Sequence, residues 1–106
     1  MSAYHMANVH PKHTGLSRWI WILEGWGSSE KRPHIIIERK GGSPDMLMSI
    51  EEEPEIFGSG YDNISDTEMK PLKEWIILNK NLLLSYWYQH GQYRDTKSTL
   101  DALKRI

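Results

Sequence analysis

The most apolar stretch of the chain, from Trp75 to Tyr88, predicts a helix that is apolar on two sides. With successive side chains 100° apart, the segment forms one broad apolar face and a narrower stripe on the opposite side. The stripe consists of Ile77, Leu84 and Tyr88 and is termed the helix stripe below. A small domain covers only one face of such a helix, so the other needs a second layer or a partner. The broad face contains Leu72, Trp75, Ile76, Leu78, Leu82, Leu83, Tyr86 and Trp87.

Upstream of this helix, three segments have the aromatic and β-branched composition of strands. They are residues 18–24, 33–40 and 46–51, and in the last of them Met46, Met48 and Ile50 lie on one face. Residues 55–57 add a short edge strand, and the glycines and proline of residues 41–45 form a turn. Because the connections are short, we expect an antiparallel meander.

Two helix starts follow from capping patterns. Ser65 and Glu68 have the spacing of a capping box, but Pro71 leaves two possibilities open. The long helix either starts at Ser65 and bends at Pro71, or starts at Pro71 after a separate turn. A second helix begins near Asp95 or Thr96, either of which can cap it, and runs to the end of the chain.

The predicted fold class is therefore α+β, with an antiparallel sheet of three to four strands packed by one long helix, plus a short C-terminal helix. Residues 1–17 are polar, rich in histidine and interrupted by Pro11 and Gly15, which predicts an irregular N-terminal arm. Residues 18–106 then form a single α+β domain, since a chain of this length suffices for one core. His5-Met6 is a dipeptide that a common cloning site encodes, which makes Met6 a candidate native start.

The C-terminal helix has an apolar side of its own, made by Leu100, Leu103 and Ile106. Two arrangements are open. Either these residues cover the helix stripe, or the stripe is a surface for a second copy of the chain or another protein.

Composition and charge narrow the range of functions. Thirteen basic and fourteen acidic residues leave a formal charge of −1, which gives no global reason to bind nucleic acid or an anionic membrane. The absence of cysteine excludes disulfides, thiol nucleophiles and thiolate zinc sites. No apolar run approaches the roughly 20 residues that span a bilayer, and no signal-peptide core is present. We expect a cytoplasmic protein without a cofactor.

Histidines supply the candidate chemistry. His10 and His13 are weak candidates for metal ligands. A metal needs three or four ligands, and the remaining ones would have to come from the glutamates within residues 51–55. An exposed arm and a solvated acidic loop explain the same residues, so we predict no metal site. His34 lies within a predicted strand. It is either a buried structural histidine or a weak catalytic candidate that works with an acid such as Glu51.

Two further residues stand out by their surroundings. Asn79 lies in the middle of the broad apolar face, which predicts either a hydrogen-bonded buried amide or a ligand contact. As a buried amide it would tie the helix to a strand end or to the N-terminal arm. Trp26 lies in a glycine-flanked loop, and exposed aromatic residues favour interfaces or base stacking. Trp26 and the helix stripe together form the predicted partner-binding set.

Parts of the chain resemble a group of prokaryotic proteins. Residues 8–16, Asn-Val-His-Pro-Lys-His-Thr-Gly-Leu, resemble the opening of small uncharacterised bacterial and prophage proteins, and residues 75–87 with the short helix after them resemble their ending. The middle resembles the prokaryotic domain of unknown function that is built on a Pro-His-x-His strand. Pro33 and His34 match its start, while Ile36 replaces its second histidine. The resemblance implies a small α+β domain in a setting like that of toxin–antitoxin pairs or mobile elements.

Three functional hypotheses follow. The leading one is a non-enzymatic interaction or regulatory module that acts through a protein partner or a homodimer. The first alternative is a small metal-independent nuclease or hydrolase toxin that uses His34. The second is a single-stranded nucleic-acid binder that uses Trp26 and the basic residues near the C-terminus, which the balanced charge disfavours.

Overall fold

Five short strands form one antiparallel sheet in which neighbours along the chain are also neighbours in space. The computed structural model describes residues 6–27, 31–38, 46–57 and 64–106. The α+β class is confirmed, but the sheet has five strands rather than the predicted three to four. The strands are β1 (Met6–Val9), β2 (Ile20–Leu23), β3 (His34–Ile37), β4 (Met46–Ser49) and β5 (Ile56–Phe57).

The core lies against one face of this sheet. The strand register places Val9, Ile20, Ile37 and Met46 side by side across four strands, and all four are buried. Side chains two residues apart on a strand share a face, so Ile22, Ile35 and Met48 extend the same buried surface. The predicted face of Met46, Met48 and Ile50 is confirmed.

The N-terminal arm is more regular than predicted. Met6–Val9 forms the first edge strand, and Pro11–Thr14 forms one helical turn, α1. The irregular arm predicted over residues 1–17 is therefore wrong for these two segments. Gly15 ends α1 with a φ of 84°, in the left-handed region that favours glycine.

The long helix consists of two consecutive segments, α2 (Asp66–Leu78) and α3 (Lys80–Tyr88), that meet at Asn79. Ser65 caps α2 by accepting a hydrogen bond from the Glu68 N–H, and Pro71 lies inside the helix. The predicted start at Ser65 is therefore confirmed. Backbone hydrogen bonds from Asn79 to Trp75 and from Leu83 to Asn79 carry the helical ladder across the junction.

A buried arginine fixes the start of α2 to the sheet. Arg18 pairs with Glu68 through Nε and Oε2 at 2.8 Å, and its Nη1 donates to the backbone carbonyl of Glu38 at 3.1 Å. Because the guanidinium is almost fully buried, these bonds replace the water that it loses. The clamp ties together β2, the end of β3 and α2.

The last helix, α4 (Thr96–Ala102), is capped by Asp95, one of the two predicted caps, but ends before the end of the chain. Beyond it, the Ile106 N–H donates to the Thr14 carbonyl at 3.0 Å, so the tail runs along α1. The predicted turn at residues 41–45 lies outside the described residues. So do residues 1–5, which precede the candidate native start at Met6. In the described parts of the chain, no helix has both the length and the apolarity that crossing a bilayer requires.

Candidate functional site

The two ends of the helix stripe are open to solvent, and its middle residue, Leu84, packs against the core. Ile77 is 51% exposed and Tyr88 is 56% exposed, while Leu84 between them is half-buried. Leu78, which the sequence placed on the broad buried face, is also exposed and so extends the open surface beside Ile77. The prediction for Leu78 is wrong because it lies at the margin of that face.

Helix α4 packs on another side of α3. The Tyr86 hydroxyl and the Thr96 hydroxyl are 2.9 Å apart, and the tail after α4 bonds to Asn79. Tyr86 and Asn79 belong to the broad face, about half a turn away from Ile77 and Tyr88. Of the two predicted arrangements, the one in which the C-terminal helix covers the stripe is therefore wrong for Ile77 and Tyr88. Leu100 and Leu103 pack against the core instead.

Asn79 is a fully bonded buried amide, and it is 3% exposed. Its Nδ2 donates to the carbonyl oxygens of Trp75 and Lys104, both at 3.0 Å. Its Oδ1 accepts from the Lys104 N–H at 2.8 Å. The structural interpretation holds, but the amide ties the helix to the C-terminal tail rather than to a strand end or the N-terminal arm.

His34 is enclosed by aromatic rings and is 2% exposed. Its ring meets Phe57 and Trp87 edge to face, with centroid distances of 5.6 and 4.9 Å, and its Nδ1 lies 2.7 Å from the Arg32 carbonyl. An imidazole packed in this way has little surface left for a substrate.

The acid proposed to work with His34, Glu51, is bonded to other side chains. The Ser49 hydroxyl and the Arg32 guanidinium bond the Glu51 carboxylate and hold its pKa below the ordinary value. Arg32 also pairs with Glu55 at 2.7 Å. This cluster neutralises part of the acidic loop and engages the Glu51 carboxylate in a salt bridge.

His10 and His13 both lie at the N-terminal arm, where His10 caps α1. The His10 Nδ1 accepts a hydrogen bond from the Lys12 N–H at 3.0 Å, and its ring meets Trp19 edge to face at 4.8 Å. Among the described residues, no three histidine or carboxylate side chains come together as a possible metal-binding group.

Trp26 is 53% exposed and stands in a single 3-10 turn, Gly25–Gly27. Its indole Nε1 donates to the buried Glu24 carboxylate at 2.7 Å. A carboxylate beside the indole repels phosphate, which disfavours base stacking at this position.

The outer face of the sheet also has an apolar row, which was not predicted from the sequence. Register aligns Trp21, Ile36, Leu47 and Phe57 across four strands, and each is half-buried. The Arg32 guanidinium lies 4.6 Å from the centre of the Phe57 ring. The sequences of β2 and β3 show apolar residues at these outward positions. Only the pairing register of the strands, however, shows that the residues form one row.

Scans of protein-family models, curated proteins and solved structures give no match to this chain. The family resemblance drawn from the sequence therefore stays a prediction.

Proposed function

We propose that the chain is a non-enzymatic interaction module that self-associates through the helix stripe. The observation that carries the proposal is the exposure of Ile77 and Tyr88, each more than half open, on the same side of α2 and α3. Large apolar side chains exposed along one helix face are typical of protein-binding surfaces.

The order of residues along the stripe favours a second copy as the occupant. Ile77 and Tyr88 lie at equal distances from the midpoint between Asn81 and Leu84. In an antiparallel pair of identical helices related by a two-fold axis at this midpoint, Ile77 of one copy meets Tyr88 of the other. Asn81 then lies opposite Leu84 at the centre, and the apolar contacts come from Ile77 and Tyr88 at the two ends. A single helix pair buries a small area, so we expect a weak dimer.

The surroundings of His34 and Trp26 support this proposal over its rivals. A hydrolase would need an accessible base, whereas His34 is packed between Phe57 and Trp87. A nucleic-acid binder would need cations beside its exposed aromatic residue, whereas Trp26 is bonded to Glu24. The toxin–antitoxin or mobile-element setting that the resemblance implies is compatible with a dimerising module and is part of the proposal.

Disulfide trapping tests the proposed geometry, because the chain has no cysteine of its own. Asn81 is exposed and lies close to the proposed two-fold axis, so Asn81→Cys should form a disulfide-linked dimer under mild oxidation. The matched control is Asp66→Cys, at the exposed start of α2. In the antiparallel pair its two copies lie roughly 50 Å apart along the helix axes, too far to link. Equal trapping of both variants, or of neither, would contradict the arrangement.

A substitution of His34 distinguishes the hydrolase hypothesis from the interaction module. His34→Gln keeps a polar side chain of similar size, and circular dichroism would show whether it folds. We expect wild type and variant to behave alike in RNA cleavage and in bacterial growth. Growth inhibition or cleavage by wild type that the folded variant lacks would favour the hydrolase.

A further inference from the structure

A cleft of about 590 Å³ lies beside the edge strand β1, at the opposite end of the sheet order from β5. Its walls come from the end of β1, from α1, from Trp19 just before β2, and from the C-terminal helix α4 with the residue that follows it. Apolar side chains and polar groups both line it. The lining residues are Asn8, Val9, His10, His13, Trp19, Leu100, Asp101 and Leu103.

One wall of the cleft is an edge strand. β1 pairs with β2 on one side, and among the described residues no strand pairs with its other side. On an edge strand every second residue directs its N–H and C=O away from the sheet, where another extended chain can bond to them. A groove between an edge strand and a helix is the geometry in which a peptide adds as a further strand.

The cleft also presents side-chain donors. Because the Lys12 N–H donates to His10 Nδ1, that nitrogen is an acceptor, and the proton of the neutral ring lies on Nε2. Within the described part of the chain, neither this Nε2 nor the His13 ring has a hydrogen-bond partner. Leu100 and Leu103 offer apolar contact on the facing wall.

The charge around the cleft favours an acidic occupant. The Arg105 guanidinium bonds to the Lys12 carbonyl at 3.2 Å, which places one cation at the backbone of α1 next to His13, and Lys12 itself is exposed on the same turn. The one carboxylate among the lining residues, Asp101, is paired with Lys97 at 3.1 Å. With Asp101 paired, the charged groups that remain next to α1, Lys12 and Arg105, are cations, on a chain whose net charge is −1.

We propose that this cleft binds an acidic, extended peptide segment of another protein, which adds as a strand to the free edge of β1. The backbone of β1 supplies the main-chain hydrogen bonds, and His10 and His13 donate to a carboxylate of the peptide. The site goes beyond the proposed function, since it lies apart from the helix stripe and takes its ligand whether the chain is a monomer or a dimer.

Selection from a random heptapeptide phage library on the full chain tests the proposal. We expect enriched peptides to contain Asp or Glu and to shift the amide NMR signals of residues 8–10. Synthetic copies of the enriched peptides are then titrated by fluorescence anisotropy against wild type and two variants. His13→Glu places a repelling carboxylate in the cleft and should weaken binding at least about tenfold.

The matched control is His90→Glu, the same change at an exposed histidine that stacks on Tyr88 and does not line the cleft. It should leave the affinity unchanged. Failure to enrich any peptide, enrichment without acidic residues, or equal loss of binding in both variants would overturn the proposal. Amide shifts confined to other elements would also overturn it. A monomeric wild type would refute the helix-stripe dimer without affecting this test.

Discussion

Asn79 shows how far a single residue can be interpreted from sequence. A polar residue on an apolar helix face predicts a buried, satisfied amide, and that prediction is confirmed. Its partner, the backbone of Lys104, lies 25 residues away, and only the path of the tail after α4 brings it there. Local patterns contain no information about that path.

Removing this amide should destabilise the fold. Asn79→Ala leaves the Lys104 N–H and carbonyl without their bonds in a partly buried place, which we expect to cost about 2–4 kcal/mol of unfolding free energy. Asn81→Ala is the matched control, because Asn81 is exposed two residues further on and should change stability by less than about 0.5 kcal/mol. Urea unfolding measures both, and equal losses would contradict the role of Asn79.

The carboxyl group of Asp95 gives a second prediction at the residue scale, which concerns the pH dependence of stability. Hydrogen bonds from the Ser98 hydroxyl and N–H hold the pKa of the Asp95 carboxyl below its ordinary value. A lowered folded-state pKa stabilises the protein above the unfolded pKa, and this contribution is lost as pH falls through the folded pKa. Asp95→Asn keeps a capping side chain without the charge. Its stability should fall less steeply than that of wild type below about pH 4 in urea unfolding at stepped pH. If the stability of wild type and of Asp95→Asn fell equally steeply with pH, the lowered pKa of Asp95 would not be the cause of the acid sensitivity.

At the scale of elements, the segments with strong periodicity were predicted well. Strands β2, β3 and β4, the long helix and the Asp95 cap follow from apolar patterning and capping residues. Strand β1 was missed because Met6–Val9 has a single buried residue and becomes a strand by pairing with β2. The end of α4 was missed because the tail exchanges helical bonds for contacts with Asn79 and Thr14.

The Arg18 clamp could not be predicted from spacing, since its partners Glu38 and Glu68 are 20 and 50 residues away. Arg18→Met should lower the unfolding free energy by about 2 kcal/mol, below the range for a fully buried pair because Glu68 keeps some contact with water. Lys97→Met is the matched control, since it breaks the exposed Lys97–Asp101 pair and should change stability by less than about 0.5 kcal/mol. If Arg18→Met left the unfolding free energy unchanged, the clamp would add no net stability.

At the scale of the whole molecule, the described parts of the chain bury one face of the long helix and leave the two ends of the helix stripe exposed. The sheet buries the broad face of α2 and α3 around Trp75, Ile76 and Leu83, while α4 and the tail bond to Tyr86 and Asn79. Ile77 and Tyr88 stay exposed. The surplus apolar surface that the sequence predicted is therefore present, and a second copy is its proposed cover.

Multi-angle light scattering over a range of concentrations tests this claim most directly. The chain has a mass of 12.4 kDa, and we expect the mass of wild type to rise toward twice this value with concentration. Ile77→Glu combined with Tyr88→Glu should stay monomeric, while Met6→Glu, at an exposed apolar residue outside the stripe, should dimerise like wild type. A wild type that stays at 12.4 kDa at the highest concentration, or a double variant that still dimerises, would contradict the account.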